Sequence, residues 1–545
     1  MTSLRSSACL VLLFLFGCAQ SVDVSGTGGS KATGGDNGST GSGGTTSTGT
    51  GGNTGTGGNN TTGTGGATNT GGATGAAGAK GTGGSTATGG ATGGAGIKGT
   101  GGSTATGGST GAAGVKGTGG STATGGSTGN AGSTGSTSCT ITPTSTFSTA
   151  IPNVAIVTWT TTLSNPTKAE IDFAPAAGGT TLVAPVDLTQ ASYRTLLLGM
   201  KPSTSYAYKI VATNASGACT SNSYTIMTGA LPSSTPKVTA TIMDATAHDK
   251  GFIVTSTGLM GSSTLIIDPD GTVVWSATSP TQPSRSHMSW DGTHMYMMSL
   301  NVGNTSAGNI QSVAMDGTGN TALSGMTASH HDMTAIPGGL ATMLWNTSGM
   351  DAPCSLVERA DATGTITTVV ADLSTVYASS TNKFHSNAVH YYPSDNTYTV
   401  GDRNPNLYVK LSRTGSLIWQ FGGSNPKDQS KFFTGVPTWS VNHGHQLLAD
   451  GTFVFFNNTP NEAWVYKLNT SNMTASKTLT YTASGASSNV LGDMQRLPNG
   501  NYLVTFSTSG QIHEISPTGA LVAKFTSTSF GYSEFRESLY GQPPY

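Results

Sequence analysis

Charge is scarce in this 545-residue chain: Asp, Glu, Lys and Arg together make up 9% of it, and the net charge is −1. A chain so poor in charge has no basic face with which to hold nucleic acid. It also lacks a P-loop, and no Rossmann glycine fingerprint follows a strand, so no nucleotide site is expected. No helical periodicity of any length is present to compete with strand patterning. Long apolar runs are missing. The only one of note, Ala8 to Phe16, is too short to cross a bilayer as a permanent helix. Cysteine is sparse, with five in all.

That apolar run follows the single basic residue Arg5 and ends at Gly17-Cys18, where it resembles a bacterial lipobox. Residues 1–18 are therefore expected to be a lipoprotein signal, with Cys18 lipidated and the chain exported to the outer membrane, facing either the periplasm or the cell surface. Glycine is abundant instead: most of the 79 glycines fall before residue 138. Residues 19–137 are Gly, Thr, Ser, Ala and Asn, and KGTGGSTATGG begins at Lys80, Lys98 and Lys116. With nothing apolar to bury against its ordering entropy, this segment is predicted to be a disordered tether, reaching on the order of 60 Å as a flexible coil.

Strand alternation begins after it. Val154–Trp159 and the runs AEIDFA, YRTLLL and YAYKIVATN are separated by Pro, Asn and Gly turns. The run LGMKPSTSYAYKIVATNASG resembles a fibronectin type III domain, so residues 138–231 are read as a small β-sandwich with Trp159 in its core. Cys139 and Cys219 flank it, and in an oxidising compartment they are expected to pair. Cys354 has no evident partner and is expected to be a buried, inert thiol.

Residues 232–545 carry two interleaved series of turns. One runs through Gly251, Gly292, Gly338, Asp395, Gly451 and Gly500. The other runs through Gly271, Gly317, Gly364, Gly415, a degenerate 471–473 and Gly519. Two hairpin turns per unit of roughly 50 residues imply four strands per unit, and six units fit, which predicts a six-bladed β-propeller. The whole chain is thus expected to be all-β in its folded part.

Histidines recur at related places on this repeat. His331 precedes Gly338 by seven residues, His443 precedes Gly451 by eight, and His385 precedes Asp395 by ten; Asp493, Arg285 and His287 lie at or near the corresponding places. After the turns come Asn346, Arg403 and Asn458 at matching offsets. The far ends of the two strands of a hairpin meet at one edge of a sheet, so both sets are placed at one end of the channel.

The runs HHDMTAIPGG, FHSNAVHYY, VGDRNPNLYVKLSRTGSLIWQFGG, WSVNHGHQLLADGTFVFFNN and GDMQRLPNGNYLVTFS, with the closing GYSEFRESLYG, resemble bacterial nucleotide-independent arylsulfate sulfotransferases. The resemblance covers about residues 240–545. It implies a six-bladed propeller preceded by a small β-sandwich, no cofactor, and transfer of a sulfuryl group from a phenolic sulfate to a phenolic acceptor. It places the transient sulfohistidine at His443 and sulfuryl contacts at His331, His385, Asn387 and Arg403. His330, His445 and Asn458 stand beside these as further substrate-binding candidates, and which histidine of each HH or HxH pair faces the channel is left open. Trp345, Trp439, Phe384 and Tyr391 lie close by, available to an aryl ring or to blade packing.

Two other readings are open on the residues alone. One is a propeller that binds a ligand or protein without chemistry. The other is a metal-dependent enzyme using His330, His331, His385, His443 and His445, in which a strand spacing of two puts His443 and His445 on one face. Few carboxylates accompany these histidines, and Arg403 would repel a cation, so no metal is expected.

Overall fold

The computed structural model describes residues 139–543. The predicted signal, the expected lipidation site at Cys18 and the predicted tether at 19–137 lie outside the described residues.

The described residues are all-β, interrupted by four single-turn 3-10 segments and no α-helix. Near the N-terminal end, Ile141–Phe147, Ala155–Thr161 and Thr195–Leu197 form one antiparallel sheet. Lys168–Pro175 and Ser205–Asn214 form the centre of a second. Alternation along each strand buries one face, and the two faces share a core that includes Val157, Trp159, Ile171, Phe173, Tyr208 and Ile210. Cys139 and Cys219 are joined by a disulfide across this unit.

The remaining strands form six sheets in a propeller-like arrangement, each built from four antiparallel strands, with a fifth added to the last sheet. The innermost strands are β1 (Pro283–Met288), β2 (Ser329–Ile336), β3 (Ser386–Tyr392), β4 (Ser440–Leu447), β5 (Asp493–Arg496) and β6 (Glu534–Arg536). The hairpins turn where the glycine series places them, at Gly292, Gly338, Gly451 and Gly500. In the fourth sheet Asn396 takes the left-handed backbone (φ 55°) that glycine supplies elsewhere.

Gly251 differs. It opens Phe252–Ser256, whose inner neighbour is β6 from the far end of the chain, while Thr239–Ile242 adds an outer strand to the sixth sheet. Both ends of the array are therefore held by strands remote in sequence.

Hydrogen bonds link the inner-strand segments in a closed circuit. Arg285 Nε donates to Asp332 Oδ1 (2.6 Å), and Asp332 Oδ2 accepts from Val389 N (2.9 Å). Asn387 Nδ2 donates to the Asn442 carbonyl (2.7 Å), and Gly444 N to the Gly492 carbonyl (3.0 Å). Phe535 N donates to Gln495 Oε1 (3.0 Å), and Tyr532 N to the Ser284 carbonyl (2.8 Å). Arg285 also donates to Asp493 Oδ2 at 3.0 Å and lies over the Tyr532 ring, 4.5 Å from its centroid. An arginine 2% exposed between two buried carboxylates is held by charge it cannot leave behind.

The two-sheet unit is seated on the first and second sheets. Asn153 Nδ2 donates to the Met200 and Val274 carbonyls (2.7 and 2.5 Å), Arg194 pairs with Asp316 (2.6 Å), and Ile151, Val154 and Leu198 enter a core with Phe252, Trp275 and Met297. Most of the candidate residues lie on the other side of the array, in sheets three to five.

Candidate functional site

The inner strands are buried on both faces although they are rich in polar side chains. Each of the three strands that supply the site is also irregular. Pairing shifts register between Ser329 and Met333 in β2, between Ser386 and Ala388 in β3, and between Asn442 and His445 in β4. Bulges re-aim side chains next to functional sites. Here His331 and Val441 adopt φ +60°, a left-handed conformation that costs such residues energy and persists only when the surroundings enforce it.

These irregularities bring three histidines and an arginine together. The His331 and His385 rings lie 4.7 Å apart with their Nε2 atoms at 3.2 Å, and the His331 and His443 rings are 6.3 Å apart. Arg403 Nη2 stands 3.4 Å from His385 Nδ1. The Nε–H of Arg403 is buried without a hydrogen-bond partner among the described residues, an unmet donor beside three imidazoles. Asp402 holds this corner in shape: its Oδ1 accepts from His385 N (2.8 Å) and its Oδ2 from the Tyr377 hydroxyl (2.7 Å).

Asn458 determines the chemistry of His443. Its amide donates both N–H groups to backbone carbonyls, of Ser488 (2.8 Å) and Leu491 (2.7 Å), which fixes Oδ1 toward His443 Nδ1 at 2.5 Å. An amide oxygen only accepts, so Nδ1 carries the proton. Burial first, and the Arg403 cation second, push His443 down to about 3. The ring is thus neutral near pH 7, and its lone pair is on Nε2.

His331 and His385 are likewise held well below the ordinary histidine range by burial, with Arg403 and neighbouring imidazoles adding to it. Burial also pushes His330 down to about 3. The site is therefore a set of neutral imidazoles beside one fixed cation.

This carries a prediction for stability. The folded protein keeps His330 and His443 neutral down to about pH 3 and holds His331 and His385 well below the ordinary range too, whereas an unfolded chain protonates all four near pH 6.5. The unfolded state then binds more protons between those limits, so stability falls as pH falls through them, by up to about 1.4 kcal/mol per histidine per pH unit. Asp402 and Asp493, raised to about 6 by burial, act oppositely between about pH 4 and 6, but they are two against the four site histidines. The thermal midpoint is expected to drop steeply from pH 6.5 to 4. A flat profile would contradict the neutral, buried cluster.

Of the sequence candidates, the structure brings His331, His385, His443 and Arg403 together. Asn387 borders them, its Nδ2 spent on the Asn442 carbonyl and its Oδ1 buried without a partner among the described residues. Three candidates need correction. Asn458 has no N–H left for a sulfate oxygen, since both are donated to backbone carbonyls and its oxygen faces His443.

His330 is fully buried, stacked on Trp345 at 3.9 Å with both ring nitrogens engaged, so it cannot touch a ligand directly. His445 does not share a face with His443 because the β4 bulge intervenes. Its Nε2 contacts Thr399 Oγ1 (2.6 Å), and its ring sits among His390, Tyr408 and Phe453. Asn346 is exposed and bonds the Ala371 carbonyl.

Trp439 packs against Phe421 and Phe455, and Tyr391 against Trp290 and Tyr398, so both belong to inter-sheet cores. Phe384 likewise packs against Tyr377.

Asp332, Tyr532 and Trp345 are structural neighbours whose roles the sequence did not disclose. Asp332 sits inside HHD, and Tyr532 inside the closing run, with its ring 6.4 Å from His443 and its hydroxyl on the Asn387 carbonyl (2.9 Å). A separate small cavity of about 30 Å³ is lined by Arg285, His287, His390, Gln446, Gln495 and Glu534. It does not include the histidine–arginine cluster.

Residues 353–528 match the model of the family described as arylsulfotransferase (ASST). That span contains His385, Asn387, Arg403 and His443, while His331 lies just before it, and the match upholds the resemblance read from the sequence. No curated protein matches the chain.

Among solved structures, TolB from Acinetobacter baumannii is similar at 10% identity and a TM-score of 0.36, over 62% of this chain and 80% of that one. The Swd1 β-propeller domain from Myceliophteria thermophila is similar at 8% identity and a TM-score of 0.34, over 54% and 88%. A putative 6-phosphogluconolactonase from Bacteroides uniformis is similar at 14% and 0.36, over 53% and 100%. Likenesses this distant carry no argument about activity.

Proposed function

We propose that this member of the arylsulfotransferase family is a six-bladed propeller enzyme that moves a sulfuryl group from a phenolic sulfate ester to a phenolic acceptor, through a sulfated His443. The observation that carries the reading is the convergence of His331, His385 and neutral His443 on Arg403, whose buried Nε–H has no partner among the described residues. One fixed positive charge among neutral imidazoles suits a singly charged sulfate ester.

In the first half-reaction His443 Nε2 attacks sulfur as the bond from sulfur to the aryl oxygen breaks. Charge spread over the peripheral oxygens is met by Arg403, and the departing phenolate leaves as an anion that accepts a hydrogen bond from an imidazole N–H of the site. In the second, the acceptor phenol gives its proton to the lone pair of a neutral site imidazole, which passes it to solvent, and attacks sulfur as the bond from nitrogen to sulfur breaks. A covalent N-sulfated enzyme lies between the two. No nucleotide or metal enters this scheme.

The same proposal places the protein outside the cytoplasm, in line with the Cys139–Cys219 disulfide, anchored through Cys18 by the glycine-rich tether. The N-terminal two-sheet unit, read as fibronectin III-like, serves as a spacer seated on the array.

The direct test is release of nitrophenol from 4-nitrophenyl sulfate with and without an added phenol. Release that depends on the phenol, with the sulfated phenol as product, is expected. A panel of aryl sulfates and phenols that yields none would favour a propeller that only binds.

A further inference from the structure

Cys354, on the third strand of the third sheet, stands at one end of a line of hydrogen-bonding groups that ends inside the cluster just described. Its Sγ lies 3.1 Å from His330 Nε2. His330 Nδ1 lies 3.0 Å from His331 Nδ1, and His331 Nε2 lies 3.2 Å from His385 Nε2. His385 Nδ1 contacts the Met350 carbonyl. Every histidine in the line is buried, and the thiol is fully buried too.

The direction of this line is determined by its ends. Of the two groups at His385 Nδ1, the Met350 carbonyl is the near one and only accepts, while the Arg403 Nη2 donor stands off at 3.4 Å, so Nδ1 carries the hydrogen, which leaves His385 Nε2 as an acceptor in the neutral ring. His331 Nε2–H then donates to it, His331 Nδ1 accepts from His330 Nδ1–H, and His330 Nε2 accepts from the Cys354 thiol. The reverse direction would set two acceptors, His385 Nδ1 and the Met350 oxygen, against each other. Burial raises the Cys354 pKa well above the ordinary thiol value and outweighs the lowering by hydrogen bonds from Ser386, so the thiol keeps its hydrogen. His330 Nε2 at 3.1 Å is a nearer acceptor for it than the Ala352 carbonyl at 3.8 Å.

We infer that Cys354 and His330 are positioning residues that lock His331 in the Nε2–H form, making it the donor that faces the sulfuryl site. The inference rests on the sulfuryl-transfer reading. A sulfuryl group bound between His331 and His385 breaks their mutual contact, so His331 then loses its link to the Met350 carbonyl. From that moment only the arm through His330 and Cys354 specifies which nitrogen of His331 holds the proton. Trp345, stacked on His330 at 3.9 Å and 16° and edge-on to His385 at 5.1 Å, keeps the arm from turning. His331 Nε2–H is thereby presented to the departing aryl oxygen as the hydrogen-bond donor that stabilises its developing charge.

The test is a comparison of Cys354→Ala and Cys354→Ser with wild type on aryl sulfates whose phenols differ in acidity. A good leaving group such as 4-nitrophenolate needs little help from a hydrogen-bond donor, and phenolate, which carries more localised charge, needs much. Cys354→Ala is expected to lower kcat about tenfold on phenyl sulfate and less than about twofold on 4-nitrophenyl sulfate, with KM little changed. Cys354→Ser, which keeps a donor at that position, is expected to recover most of the loss.

An equal loss on both esters, or no loss on either, overturns the inference. If Cys354→Ala proves too unstable to assay, the wild-type imidazole nitrogen shifts of isotopically labelled protein decide the matter. His331 in the Nε2–H form is expected, and the Nδ1–H form overturns the inference. Those shifts also separate the two claims, since absence of any aryl sulfate turnover sinks the transfer reading while the tautomer remains measurable.

Discussion

Replacing His443 by asparagine is expected to lower aryl sulfate turnover by at least about a thousandfold while leaving the fold intact. The size follows from the role: with no nucleophilic nitrogen there is no covalent intermediate, and the remaining groups can only bind and orient. The fold survives because the amide N–H of an asparagine side chain can still donate to the Asn458 oxygen, which is fixed in place by the Asn458 N–H groups donating to the Ser488 and Leu491 carbonyls. The check is kcat for 4-nitrophenyl sulfate with a phenol acceptor, alongside the thermal midpoint. A loss below about tenfold in a well-folded variant would remove His443 from the nucleophile's role.

Arg403→Gln is expected to have the next largest effect, a fall of about a hundred- to a thousandfold in kcat/KM. Two consequences of the lost charge separate this from mere disturbance of packing. The peripheral oxygens of the sulfuryl group lose the Arg403 charge, and Arg403→Lys should recover only part of the rate, because a point charge lacks the planar fork. The pH dependence also moves. After burial, the Arg403 charge is the main influence keeping His443 low, so its removal raises the His443 pKa. His443 attacks only when neutral, and the acidic limb of kcat/KM therefore shifts to higher pH in the variant. A limb in the wild-type position would mean that Arg403 does not act on the nucleophile.

Much of the architecture could be read from turns, because hairpin turns need residues that tolerate left-handed backbone and these advertise themselves as Gly, Asp-Gly and Asn-Gly. What turns cannot disclose is closure. The first sheet takes its inner strand from Glu534–Arg536, and the sixth gains an outer strand from Thr239–Ile242; both pairings are non-local and leave no local mark.

The site was legible to the same degree. Histidines at related offsets on three strands pointed to one end of the array, and His331, His385, His443 and Arg403 do converge there. Period-two reasoning failed at the bulges, where one extra residue exchanges the two faces of a strand. That is why His445, two residues from His443, lies instead against Tyr408 and Phe453, and why adjacent His330 and His331 can bond to each other.

Cys354 reads in sequence as an inert buried thiol. Its contact with His330 depends on a pairing in which Cys354 lies opposite Trp345 in the third sheet, and no spacing rule places it there. Asn458 was recognised by position but not by role, since its two carbonyl partners come from a loop some thirty residues further on.

The claim on which the account depends is that sulfur rests on His443 between donor and acceptor. It is tested most directly by mixing the protein with a radiosulfur-labelled aryl sulfate in the absence of phenol, quenching in alkali where an N-sulfated imidazole survives, and mapping the labelled peptide. The account predicts label on the peptide containing His443, lost when a phenol is added before the quench and recovered in the sulfated phenol. Transfer to phenol that proceeds with no label on that peptide, or with label on another residue, would contradict it.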